Sequence, residues 1–144
     1  MTADCMSSDR IRNEIFSSKT YSEKEKLSVY DEMLKRMGKL LRQNKNLIID
    51  ATFYRNKIRE KFIREAGKVF FIEIKADEQT IKERVKKKRM DSEADFEVHK
   101  KIKKQWEPMD EPHLVLQSTN DNIEDMLHNA LEHLHINNDK RTNK

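Results

Sequence analysis

A chain of 144 residues has room for one domain of ordinary size. Its composition, 39% charged and 35% hydrophobic with a formal charge of +4, excludes a membrane-spanning bundle and does not reach the disordered regime. That modest positive balance permits an anionic partner without requiring one.

Two Gly and two Pro in the whole chain predict few tight turns and long regular elements. The single cysteine, Cys5, excludes an internal disulfide, fits a reducing compartment, and reads as a small buried hydrophobe beside Met6. With an acidic residue near Met1 and no apolar stretch after it, the N-terminus does not read as a signal peptide. The expected location is the cytoplasm.

In chain order, residues 3–8 are a short strand candidate and 9–16 a short helix with Ile11, Ile15 and Phe16 on one side. Ser22-Glu23-Lys24-Glu25 is a capping box, Ser22 accepting from the helix and Glu25 reaching back. Leu27, Tyr30, Leu34, Met37 and Leu41 follow at helical spacing, and Asn44-Lys45-Asn46 stops that helix. Leu47-Ile48-Ile49 is an unbroken apolar run, as in a parallel strand buried on both faces, and it ends on Asp50. Residues 54–66 return to helical spacing, with Gly67 as the stop. Residues 69–74 form the clearest strand. Asp77 caps a helix carrying Ile81 and Val85, and a second helix begins near Ser92 with Phe96, His99, Ile102 and Trp106 along one face. His113 to Gln117 is a last strand, Ile123 to Leu134 a last helix, and residues 137–144 a polar, disordered tail. Alternating strands and helices imply parallel β-α-β units in an α/β layer fold.

Two carboxylates close strands in this scheme. Asp9 and Arg12 make a D-x-x-R element, and ligands of open parallel sheets bind beyond the carboxyl ends of the strands. An Asp there can take a proton from an attacking hydroxyl, and an Arg one turn on can clamp a phosphate or carboxylate. Asp50, followed by Ala51-Thr52, can hold Mg²⁺ directly or through water. Taken alone, each carboxylate reads more readily as a helix cap. The five histidines lack metal-ligand spacing, and the lysines around Trp106 read as a helix surface as readily as a single-strand binder.

The order Ser7-Ser8-Asp9-x-x-Arg12, a long helix, Ile48-Ile49-Asp50-Ala51-Thr52-Phe53 and then Arg59 resembles the P-loop kinase group that includes AAA_33, zeta-toxin-like and polynucleotide-kinase-like proteins. Glu83 to Arg89 with Ser92 to Asp95 is similar to that group's lid, and Trp106-Glu107-Pro108 and the strand from His113 extend the likeness over about residues 3 to 134. The resemblance implies a P-loop NTPase-type, three-layer α/β/α parallel sheet over residues 1–136. It implies transfer of the γ-phosphoryl of ATP, with Mg²⁺, to a hydroxyl on a small molecule, nucleotide or nucleic-acid end.

By that resemblance Asp9 is the general base and Arg12 and Arg59 hold the acceptor. Asp50, supported by Thr52, lies near Mg²⁺, and Arg84 and Arg89 are lid cations that neutralise the transferring group. The group's G-x-x-x-x-G-K-[ST] loop does not occur, since Gly38-Lys39 sits inside a helix. The expected architecture therefore lacks the first strand, the P-loop and the first helix, and the expected chain has little kinase activity alone. A degenerate nucleotide- or anion-binding module stays open beside this reading. So does a fragment that dimerises through unpaired sheet edges.

Overall fold

The computed structural model of the chain describes residues 2–88 and 92–142. These residues form four strands and six helices and divide into two compact units, Met1–Val69 and Phe70–Lys144.

In the first unit β1 (Asp4–Ser7) pairs in parallel with β2 (Leu47–Asp50), in the register Asp4 to Leu47 and Ser7 to Asp50. Parallel neighbours need a crossover, supplied here by α1 (Ser8–Ile15) and α2 (Glu23–Arg42). Ser22 caps α2 as the sequence predicts, accepting from the Glu25 N–H at 3.2 Å. Glu25 does reach back, but to Thr20, accepting its N–H at 2.7 Å and its hydroxyl at 2.8 Å. The other end of α2 closes as the Asn-rich stop foretells. Asn44 takes a φ of +56°, its N–H donates to Leu41 O, and Lys45 N–H donates to Leu40 O. That pair of bonds is a Schellman closure, with Asn tolerating the left-handed position glycine usually fills.

α3 (Asn56–Ala66) follows a loop over residues 51–55 and ends at Gly67. With φ +71° and ψ −42°, Gly67 holds a conformation that a side chain would strain. The core of this unit is Met6, Ile11, Val29, Tyr30, Met33, Met37, Tyr54, Ile58 and Phe62. The buried stripe of α2 lies one step from the expected one. Val29 and Met33 are wholly covered, whereas Leu27 is exposed, and Lys26 lies over the Tyr54 ring instead.

Two expectations for this sheet fail for one reason. Cys5 is exposed, not buried, and Ile48 on β2 is 57% exposed, so that strand is not covered on both faces. Cys5 and Ile48 are register partners and share a face that is left open among the described residues of this two-stranded sheet, while Met6 on the opposite face is buried.

In the second unit β3 (Phe71–Lys75) pairs in parallel with β4 (His113–Gln117), Phe71 opposite His113. The crossover is α4 (Glu78–Lys88) and α5 (Ser92–Gln105). Asp77 caps α4 as expected, its carboxylate accepting the Thr80 N–H at 2.8 Å. That bond, with further help from Thr80, holds the Asp77 carboxyl below its ordinary range. His113 sits between two acceptors, Nδ1 at 2.8 Å from the Glu111 carbonyl and Nε2 at 3.0 Å from the Glu73 carboxylate. α6 (Ile123–Thr142) continues past Ile136, where a disordered tail is expected from the sequence. Neither Gly nor Pro interrupts those polar residues. The described residues thus hold two two-stranded parallel sheets with six helices, a mixed α/β fold.

Candidate functional site

Two exposed carboxylates, Asp9 and Asp50, lie at or just after the carboxyl end of the β1–β2 pair. Ser7 and Asp50 are the last register partners of the pair, and Asp9 follows two residues later in the first turn of α1. The Asp9 side chain is 84% exposed, and Asp50 is exposed, its carboxylate making no hydrogen bond or ion pair among the described residues. Neither carboxylate caps a helix, since the N-cap of α1 is Ser7 and that of α3 is Arg55.

Arg12 lies under Asp9 on α1, with its side chain only 11% exposed. Its Nη1 donates to Asp9 Oδ1 at 3.1 Å, its Nε stands 3.3 Å from Glu25 Oε1, and its guanidinium lies over the Tyr21 ring. The Nε contact is an ion pair out of line for a hydrogen bond. Burial alone would raise the Glu25 carboxyl. The Thr20 N–H and hydroxyl, the Tyr21 backbone and the Arg12 charge outweigh it and hold the group below its ordinary range.

The loop after Asp50 is built around the Tyr30 hydroxyl. That oxygen accepts the Phe53 N–H at 2.9 Å and shares a hydrogen bond with the Thr52 hydroxyl at 3.0 Å. Burial raises the Tyr30 hydroxyl above its usual range against the pull of those two bonds. Phe53 has a φ of +44°, costly for an aromatic residue, and its ring meets Phe62 edge-on at 4.9 Å. Arg59 fixes the same turn from below. Wholly buried, it donates from Nε to the Phe53 carbonyl at 2.7 Å and from Nη1 to Asn56 Oδ1 at 2.6 Å. Tyr54, next in the loop, donates to Glu23 Oε1 at 2.9 Å, and burial, then that carboxylate, push its hydroxyl up to about 12.

The predicted residues therefore fall into three places. Asp9, Arg12, Asp50 and Thr52 gather with Arg59 around the carboxyl end of β1–β2, although Arg59 faces inward and Thr52 is tied to Tyr30. Arg84, on α4 in the second unit, spans the segment after β4, donating to Ser118 Oγ at 3.1 Å, Thr119 O at 2.7 Å and Asn120 Oδ1 at 3.3 Å. Arg89 lies outside the described residues. Glu25, Tyr30 and Tyr21, which organise the first cluster, escape sequence reasoning. Glu25 is legible only as a capping residue and Tyr30 only as one step of an apolar stripe.

The family model AAA_33, an AAA domain, matches residues 2–109. The chain belongs to the AAA_33 family of P-loop kinase-like domains. The match takes in the Asp9–Arg12 element, the Asp50 strand and helices α4 and α5, and it ends before β4. No curated protein and no solved structure matches the chain. For the family in general this membership implies nucleotide and Mg²⁺ binding.

Whether these residues fit such ligands can be judged from their chemistry. Among the described residues no three His, Cys, Asp or Glu side chains converge as a metal cage. Mg²⁺ commonly keeps several waters and uses one or two carboxylates with substrate phosphates, so the open Asp50 suits an ion of that kind. The triphosphate does not fit these 144 residues as they stand, because no glycine-rich loop with its Lys and Ser/Thr is among them. No helix is long and apolar enough to cross a membrane among the described residues.

Proposed function

We propose that this chain is the acceptor side of an ATP-dependent phosphotransferase of the zeta-toxin-like and polynucleotide-kinase-like group. The fold of that group is a three-layer parallel sheet, and its first strand, P-loop and first helix are not among these residues. The observation that carries the reading is the pair of open carboxylates, Asp9 and Asp50, at the carboxyl end of the parallel β1–β2 pair, above a loop locked by Tyr30 and Arg59. Asp9 takes the proton of the acceptor hydroxyl, on a small molecule, nucleotide or nucleic-acid end. Arg12 orients that acceptor while its charge is balanced by Asp9 and Glu25. Arg59 acts as a positioning residue through Phe53, and Asp50 is the protein ligand for Mg²⁺. Arg84 serves the lid only after leaving Thr119. ATP, where bound, supplies the phosphoryl group. A cytoplasmic setting suits this chemistry.

Calorimetry with Mg-ATP and an assay for phosphoryl transfer test the reading. The expected result for the 144-residue chain is no transfer and, at most, Mg²⁺-dependent binding that Asp50→Ala removes. Transfer by the chain alone, abolished by Asp9→Ala, would show that a phosphate cradle exists after all and sink the incompleteness half of the proposal. Transfer unaffected by Asp9→Ala would sink the role of Asp9.

A second reading, self-association, is favoured by the apolar strand residues Ile48, Ile74 and Val115, which are 57%, 63% and 47% exposed. Sedimentation velocity should then show a dimer that Ile48→Lys with Ile74→Lys dissociates. A monomer at every concentration would eliminate it.

A further inference from the structure

Between α2 and α3, away from the open carboxylates, lies an open cavity of about 490 Å³ lined by Leu34, Lys35, Lys61, Arg64 and Glu65. Three of these five side chains are cationic. Lys35 and Arg64 form no salt bridge or hydrogen bond among the described residues, and Lys61 has only Asp31, at 3.9 Å. The one acid in the lining, Glu65, lies close against α2, its Oε1 3.0 Å from where a Cβ on Gly38 would stand, and three cations face that single carboxylate. The surrounding unit is basic as a whole: up to Val69 the sequence carries sixteen Lys and Arg against ten Asp and Glu, so the remainder is net acidic.

We propose that this groove binds the phosphate backbone of single-stranded nucleic acid. Two ammonium groups and one guanidinium around a concavity suit successive phosphates, with Arg64 able to bond one of them bidentately. Leu34 is the only apolar residue in the lining, and no aromatic ring stands there. An acidic peptide would therefore find no pocket for an anchoring side chain, and bases would find no stacking platform. Binding of this kind is indifferent to sequence and driven by counterion release. A flexible strand can enter a notch between two helices, whereas a rigid duplex meets only their outer ridges.

The test is fluorescence anisotropy with a labelled oligothymidylate about 12 nucleotides long, over a range of salt concentrations. Three cations on a single strand predict a log–log salt slope of about −2. Lys35→Glu with Arg64→Glu should weaken binding about tenfold or more. Lys24→Glu with Lys57→Glu, the same charge change at exposed first-turn positions of the two helices, should weaken it much less. Circular dichroism checks that both pairs fold. Absence of binding at low salt, equal weakening by the control pair, or equally tight and equally sensitive binding of a polyglutamate of that length would each overturn the proposal. None of these outcomes bears on Asp9 or Asp50, so they leave the phosphotransferase reading to its own test.

Discussion

Arg59→Ala is expected to destabilise the first unit by about 3 kcal/mol, the cost of stripping a buried charged donor from its acceptors. The side chain is wholly buried, and its removal leaves the Phe53 carbonyl and the Asn56 side chain without their 2.7 and 2.6 Å partners. It also vacates the volume of one of the largest fully buried side chains among the described residues. Arg59→Lys is not a conservative rescue, because an ammonium cannot reproduce the fork that serves two acceptors at once. It should lose part of the same stability. Urea denaturation reads both variants as a lowered midpoint at unchanged slope. A midpoint for Arg59→Ala equivalent to less than about 1 kcal/mol would mean that water replaces the guanidinium and that it does not hold the fold.

The same substitution links stability to the proposed site. Phe53 occupies φ +44°, a conformation costing about 1–2 kcal/mol, and persists there because Tyr30 takes its N–H and Arg59 its carbonyl. Without Arg59 the turn loses the partner of the Phe53 carbonyl and should loosen, although Tyr30 still holds the Phe53 N–H and the Thr52 hydroxyl. Amide exchange of Phe53 then accelerates before that of α2. If the two protections fall together, the loop has no independent freedom.

How much of this could be seen in advance depends on what each residue's neighbours are. Local signals carried through: Ser22 and Asp77 as caps, the Asn44 stop, and strand-helix alternation with parallel pairing. Each depends on residues within a few positions of one another. Periodicity placed Tyr30 on the buried side of α2 but could not show that its hydroxyl meets Phe53, twenty-three positions on. Arg59, read as a substrate ligand from its likeness to a family position, faces inward because the carbonyl it serves lies six residues back in a turn with unusual φ. Cys5 and Ile48 lie open: an apolar run reports what a strand could bury, not how many strands flank it. The α6 extension to Thr142 had no positive signal at all beyond the absence of breakers.

Glu25 gives the second large expected effect, and it depends on pH. Glu25→Gln keeps the shape but takes the charge from a carboxylate that is 4% exposed, accepts two bonds from Thr20 and faces Arg12. Hydrogen bonds to charged groups put the loss at about 2 kcal/mol at neutral pH. Because the folded pKa lies below the ordinary 4.5, the folded state favours the ionised form. That stabilisation is fully present above the unfolded pKa and is lost as pH falls through the folded one. The stability gap between the natural chain and Glu25→Gln should therefore be widest near pH 7, begin to close below about 4.5, and narrow further toward pH 3. Arg12 supplies a second readout. With Glu25 neutral, its buried guanidinium keeps only Asp9, so Asp9→Asn should cost more in the Glu25→Gln background than in the natural chain. A gap constant from pH 7 to pH 3 would show that Glu25 holds the Thr20 turn by shape alone, and the Arg12 charge would then need no carboxylate beneath it.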